Sequence, residues 1–179
     1  MQNSKQLELL NPAQSLINEH VIFMESLNKL SEALKFLDQE CNDLPHSILQ
    51  IAESTYFDMN EHLNIHFIKE EEIFFPLIEH IFPSGRAKFQ FLHIDHDKLR
   101  LTFEQFSNLL QDIRSFGADN KLIIKLKDVS TEMIRLFYYH IVAEDTVYLE
   151  VAREKLPSDI AELAIKQMNE LESRIREIN

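Results

Sequence analysis

Glu61-His62-Leu63-Asn64-Ile65-His66-Phe67-Ile68-Lys69-Glu70-Glu71-Glu72-Ile73-Phe74-Phe75-Pro76 is the stretch from which the fold is read. His66 and Glu70 stand four residues apart, so in a helix they share one face, roughly 6 Å apart along the axis. An imidazole and a carboxylate so placed can reach one metal ion. A single His-x-x-x-Glu is common by chance, but this one has an echo 74 residues later, where His140-Ile141-Val142-Ala143-Glu144-Asp145 repeats the pattern of His66-Phe67-Ile68-Lys69-Glu70-Glu71.

Apolar residues at three- and four-residue spacings extend outward from this stretch. Ile48, Ile51, Tyr56, Met59, Leu63, His66, Ile73 and Leu77 predict a helix from about Pro45 to Glu79, which Pro76 should kink or shorten in its last turn. Before it, a helix from about Pro12 to Glu40 carries Leu16, Ile17, His20, Phe23, Met24, Leu27, Leu30, Leu34 and Leu37. Asn11 can cap it, and Pro12 suits its first turn. The third helix carries Phe89, Leu92, His96, Leu99, Phe103, Phe106, Leu109, Leu110 and Ile113, and ends at Phe116 with Gly117 as its cap. The fourth starts near Asp119, carries Leu122, Leu126, Val129, Met133, Phe137, His140, Val147 and Val151, and ends by Leu156. A shorter fifth, about 158–176, has Ile160, Leu163, Ala164, Met168, Leu171 and Ile175 as its stripe. Long helices joined by short turns predict an all-α, up-down-up-down four-helix bundle over about 12–156. The fifth helix lies against it, and the whole of 1–179 forms one domain.

Composition agrees. The chain of 179 residues has two Gly and five Pro, little material for the turns of a β protein. A net charge of −12 argues against nucleic acid and anionic membrane surfaces, which are recognised through clustered Lys and Arg. No window reaches the roughly 20 apolar residues of a membrane span, and the region of Asn3, Lys5, Gln6 and Glu8 has no apolar signal core. A cytoplasmic location is expected. The single Cys41 cannot form an internal disulfide and reads as an incidental surface thiol.

Counting from the turns relates the histidines. In an antiparallel hairpin, residues equally far from the turn face each other. His20 and His66 are each 23 residues from Asp43, and His96 and His140 are each 22 from Ala118. The midpoint of His66 and His96 is Ile81, in the intervening turn. All four are therefore expected at one level of the bundle, with Glu70 and Glu144 one turn away.

The order His, His-x-x-x-Glu, His, His-x-x-x-Glu on four successive helices resembles the hemerythrin-like (HHE cation-binding) family, from about His20 to Asp145. The resemblance implies a non-haem di-iron centre inside the bundle. His20, His66, His96 and His140 would be terminal ligands, with Glu70, Glu144 and an oxo or hydroxo group bridging two iron ions. Oxygen-carrying members place His-x-x-x-His on the third helix, where this chain has His93 and His96, so His93 is a further candidate ligand. They end with His-x-x-x-x-Asp, a spacing that His140 and Asp145 satisfy. Symmetry with Glu70 favours Glu144, and Asp145 competes for the role. The four-His, two-Glu set is also similar to that of iron–sulfur cluster repair proteins, whose cysteine-bearing amino-terminal domain is absent from this chain. The ferritin-like Glu-x-x-His order is not the one seen.

The resemblance implies binding of dioxygen or nitric oxide, for sensing, storage or stress response. Repair of, or iron donation to, iron–sulfur clusters is the alternative, and a regulatory module whose metal only sets the fold is a third. Whether the chain is an enzyme stays open. Imidazole and carboxylate donors suit iron, manganese or zinc, whereas a soft metal would call for thiolates. His62, one turn before His66, is a lesser candidate for supporting the site. His46 and His80 read as surface residues, Glu71 as solvated and Glu72 as a candidate orienting group. Tyr148 and the phenylalanines read as packing that excludes water and admits only small ligands.

Overall fold

Asn11 caps the first helix: its Oδ1 accepts from the backbone N–H of Ala13 at 3.0 Å and of Gln14 at 3.4 Å. The computed structural model describes residues 11–37, 43–82 and 86–178, without the side chains of 86–90 and 178. Helix α1 spans Pro12–Leu34. It stops short of the expected Glu40 because the amides of Lys35, Phe36 and Leu37 bond to carbonyls three residues back, a tightened end that winds the helix down. Helix α2, His46–Lys69, starts beside Pro45, whose carbonyl accepts from Ile48 and Leu49. It runs through a π segment, π1 (Glu70–Phe74), into α3 (Phe75–Ile81). Helix α4 is Arg86–Phe116. Gly117 ends it as expected, at φ 81°, with its N–H on the Ile113 carbonyl at 2.9 Å. Asp119 Oδ1 accepts from the Leu122 amide at 2.8 Å and caps α5, Asn120–Ala143. A second π segment, π2 (Glu144–Leu149), leads into α6 (Glu150–Lys155), and α7 is Ser158–Ile178. Among the described residues there is no strand, and the class is all-α. Cys41, the turn residues Pro83, Ser84 and Gly85, the segment before Asn11 and the side chain of Phe89 lie outside the described residues.

The two π segments were not anticipated, and they correct the predicted apolar stripes. Each adds one residue to a turn, which advances everything downstream by one position. Past Glu70 the fully buried residues are Phe74, Phe75 and Ile78, not Ile73 and Leu77, which are half-buried. Past Glu144 they are Leu149 and Ala152; Val147 is 42% exposed and Val151 half-buried. Pro76 does not end its helix. It sits in the first turn of α3, where its missing N–H is tolerated, and the disturbance to the ladder lies upstream. There the Phe75 N–H reaches back five residues to the Glu70 carbonyl. In π2 the Thr146 hydroxyl donates to the Val142 carbonyl at 2.6 Å, a side-chain bond that competes with the helical ladder. In α7 the buried positions are Ala161, Ala164, Met168 and Leu171, whereas Leu163 is 52% exposed.

The chain divides into two compact units, and each of the four long helical runs contributes a segment to both. The first comprises residues up to Val21, His62–His93 and those from Ile141 onward. Its core joins Ala13 and Leu16 of α1, Phe74, Phe75 and Ile78, Leu92 of α4, Leu149, Ala152 and Met168 of α7. The second comprises Ile22–Glu61 and Ile94–His140. There Phe23, Leu27, Leu30, Met59, Phe106, Leu126, Met133 and Phe137 are fully buried, Tyr56 stacks on Phe103 at 5.4 Å, and the Lys127 ammonium donates to the Leu37 carbonyl. Among the described residues no helix is long and apolar enough to cross a membrane.

Candidate metal centre

Within the first unit, three stretches of chain bring four donors together. His20 comes from α1, His66 from the end of α2, and Glu70 and Glu144 are the first residues of π1 and π2. One donor atom from each lies within 4.8 Å of the others, and all four residues are buried. The Nε2 atoms of His20 and His66 face each other at 3.0 Å, with ring planes 62° apart. His66 Nε2 is 3.2 Å from Glu70 Oε1, and His20 Nε2 is 3.3 Å from Glu144 Oε2 and 3.9 Å from Glu70 Oε1. Both bridging candidates thus sit where the helix widens, and π turns recur at functional sites because they rotate a side chain inward without breaking the helix.

The outer nitrogens are anchored by carboxylates. His20 Nδ1 pairs with Asp145 Oδ1 and His66 Nδ1 with Glu19 Oε2, each at 2.8 Å. An Nδ1–H donated outward leaves the Nε2 lone pair pointing inward, the arrangement by which proteins orient metal-binding imidazoles. Burial opposes charge on His20, but Asp145 and Glu144 outweigh it and raise its pKa to about 9. Burial likewise opposes charge on His66, yet Glu70 and Glu19 raise it to about 10. With 3.0 Å between the Nε2 atoms there is room for only one proton between the rings, so the two imidazoles titrate as a coupled pair. The surroundings therefore favour a positive charge at this point, as an electron-pair acceptor requires.

Behind His66 lies a layer that sequence reasoning missed. Lys69, only 5% exposed, places its ammonium 2.9 Å from Glu19 Oε1 and 2.5 Å from Glu172 Oε2 of α7. Burial disfavours the Lys69 charge, but Glu19 and Glu172 overcome this and raise its pKa. Burial pushes Glu19 up, and its bonds to His66 and Lys69 bring it below the ordinary carboxylate value. Adjacency to a ligand candidate was the available signal: Glu19 precedes His20 and Lys69 precedes Glu70. Glu172, a hundred residues away, had none.

In the second unit His96 and His140 form a matching pair, buried, with Nε2 atoms 3.2 Å apart, ring centroids 4.8 Å apart and planes at 69°. Turn-centred counting had paired these residues, and His20 with His66. The lesser candidates fall elsewhere. Asp145 stands behind His20 as an Nδ1 partner, His93 packs edge-on against the Phe75 ring at 5.4 Å, and His62 is half-buried. None of these three is in the four-donor cluster of the first unit. Glu72, His46 and His80 are exposed, and Glu71 is half-buried. Tyr148 packs on the first unit's core, where burial and then the Glu144 charge raise its pKa.

The four donors fit a divalent cation. Ligand bonds of about 2.1 Å hold donors up to about 4.2 Å apart, so the observed cluster needs a contraction of well under 1 Å to close on an ion. Two carboxylates supply the negative charge that makes a buried cation tolerable, and nitrogen and oxygen donors suit iron, manganese or zinc. A comparison with curated proteins finds no significant match. The model of the hemerythrin HHE cation-binding domain, however, matches residues 11–152, a span that contains every one of these His and Glu residues. On that match, and with buried His and Glu donors of the kind such a domain requires, the chain is a non-haem metal-binding protein and belongs to the hemerythrin HHE cation-binding domain family.

Proposed function

We propose that the chain is a single-domain, up-down-up-down four-helix bundle with an additional carboxy-terminal helix, and that it holds two iron ions. His20, His66, His96, His140, Glu70 and Glu144 would hold them, the imidazoles as nitrogen donors and the two carboxylates as charge-neutralising oxygen donors. Dioxygen or nitric oxide is the ligand, bound in sensing, storage or stress response in the cytoplasm.

The observation that carries this proposal is the His20–His66 pair, its inner nitrogens turned toward Glu70 and Glu144 and its outer nitrogens held by Asp145 and Glu19. The His96–His140 pair supports it by repeating the first pair's spacing to within 0.2 Å, 3.2 against 3.0 Å. When bound, iron supplies redox-active coordination positions for a diatomic. The chain's own contribution is to orient and insulate. Asp145 and Glu19 fix the two imidazole planes. Phe67, Phe74 and Phe75, all at most 1% exposed, keep bulk water out of the first unit's interior.

Anaerobic loading with ferrous iron, followed by optical spectroscopy during titration with nitric oxide and then oxygen, tests the proposal. New visible bands saturating with gas are expected, and a loaded protein indifferent to both gases would overturn the choice of ligand. The four-His, two-Glu set leaves cluster repair as the second reading, favoured instead if reduction makes the loaded chain deliver iron to an apo iron–sulfur protein.

A further inference from the structure

A buried lysine needs acidic partners, and those of Lys69 lead away from the site. The two oxygens of Glu19 are divided: Oε2 accepts from His66 Nδ1 at 2.8 Å and Oε1 from the Lys69 ammonium at 2.9 Å. Lys69 donates its second bond to Glu172 Oε2 at 2.5 Å, and Glu172 Oε1 accepts from Arg176 Nε at 3.0 Å. A line of charge-assisted bonds thus runs from α7 to the outer nitrogen of His66. His20 is held differently, by Asp145 at the start of π2, a group 33% exposed. Glu172 lies beyond residue 152, outside the span that the family model matches.

We infer that Glu172 is a positioning residue for His66, acting through Lys69 and Glu19, so that α7 is a working part of the metal site. This rests on the metal-site reading above. A flexible four-carbon side chain orients a carboxylate only if its own ammonium is held in place. Glu172 does this on one side of Lys69, and Glu19 passes the orientation to the imidazole. Loss of Glu172 lets Lys69 swing and leaves Glu19 with one fixed partner, His66 itself.

Cobalt(II) is the probe, its affinity read by competition with a chelator and its ligand field by the visible absorption of the bound ion. The proteins are wild type, Glu19→Gln, Glu172→Gln, the double variant, and Glu170→Gln as a control on an exposed residue of the same helix that faces Lys166. Substituting a residue that orients a ligand typically weakens metal binding 10- to 100-fold. Glu19→Gln is expected in that range, Glu172→Gln at roughly tenfold with an altered visible spectrum, and Glu170→Gln at wild type. The double variant should match Glu19→Gln alone, because Glu172 acts only through Glu19. Glu172→Asp, which keeps the charge but shortens the reach, is a second variant for the same cycle. Wild-type affinity and spectrum in both Glu172 variants would overturn the inference, and so would losses that add to that of Glu19→Gln. A wild-type chain that takes up no cobalt would overturn the metal-site reading and this inference together.

Discussion

Leu149→Ala and Val147→Ala should have opposite consequences to those expected of an unbroken helix. In such a helix Val147 shares the face of His140 and Glu144, while Leu149, five residues past Glu144, lies about 140° around the axis. Because π2 adds a residue, Leu149 is 1% exposed and packs in the core that contains Leu16, Phe74, Ile78 and Met168, whereas Val147 is 42% exposed. Truncating a fully buried Leu costs about 2–5 kcal/mol, from lost burial and the cavity left behind. Truncating an exposed Val changes stability by about 0.5 kcal/mol or less. In a chain of this size 1 kcal/mol moves the melting temperature by roughly 2–4 °C. Leu149→Ala should therefore lower it by roughly 10 °C and Val147→Ala by at most about 2 °C. Thermal and urea unfolding of the metal-free proteins, followed by circular dichroism, measures both. Equal losses, or a larger loss at Val147, would refute the register shift beyond Glu144.

Three further outcomes can be checked. Glu144→Gln should abolish most divalent-metal uptake, whereas Asp145→Asn, removing only the partner of His20 Nδ1, should weaken it by roughly tenfold; chelator-competition titrations separate the two, and equal losses would return Asp145 to contention as the ligand. The metal-free chain should lose stability as pH rises from about 7 to 10. The pKa values of His20 and His66 are raised from 6.5 to about 9 and about 10, so their contribution is complete below 6.5 and disappears through the raised values. The metal-loaded protein should instead weaken on acidification, because protons compete for the same nitrogens. Melting curves across pH with and without metal check both signs, and a flat metal-free profile would contradict the raised pKa values of this coupled pair. Gly117→Ala should cost roughly 1–2 kcal/mol from backbone strain alone, since φ is 81° and an added Cβ would meet nothing within 4 Å; wild-type urea stability would contradict this.

Spacing carried the histidines because it is a local quantity. Turn-centred counting paired His20 with His66 and His96 with His140, and those rings face each other at 3.0 and 3.2 Å. It survived the errors in helix ends, such as α1 stopping at Leu34, because both histidines of each pair lie inside continuous helical runs, His66 and His140 standing just before the π segments. The stripes beyond Glu70 and Glu144 were misread because a fixed period of 3.6 cannot register an added residue. The trace in the sequence is the adjacent apolar pair Phe74 and Phe75 before Pro76, both of which the structure buries. Asp145 was legible as a lesser candidate beside Glu144, and its carboxylate lies against the outer nitrogen of His20. Glu19 and Lys69 had only adjacency to His20 and Glu70 as a signal and Glu172 had none, because their roles arise from contacts between stretches 50 and 103 residues apart.

The most direct measurement is the iron content of the purified chain after anaerobic incubation with excess ferrous iron and desalting, in wild type and in His66→Ala, His140→Ala and His46→Ala. Two irons per chain are expected in wild type and in the exposed His46 variant, with clear losses in the other two. A wild-type protein that is fully folded yet retains no iron, or equal losses in all three variants, would contradict the assignment of these residues as a di-iron site.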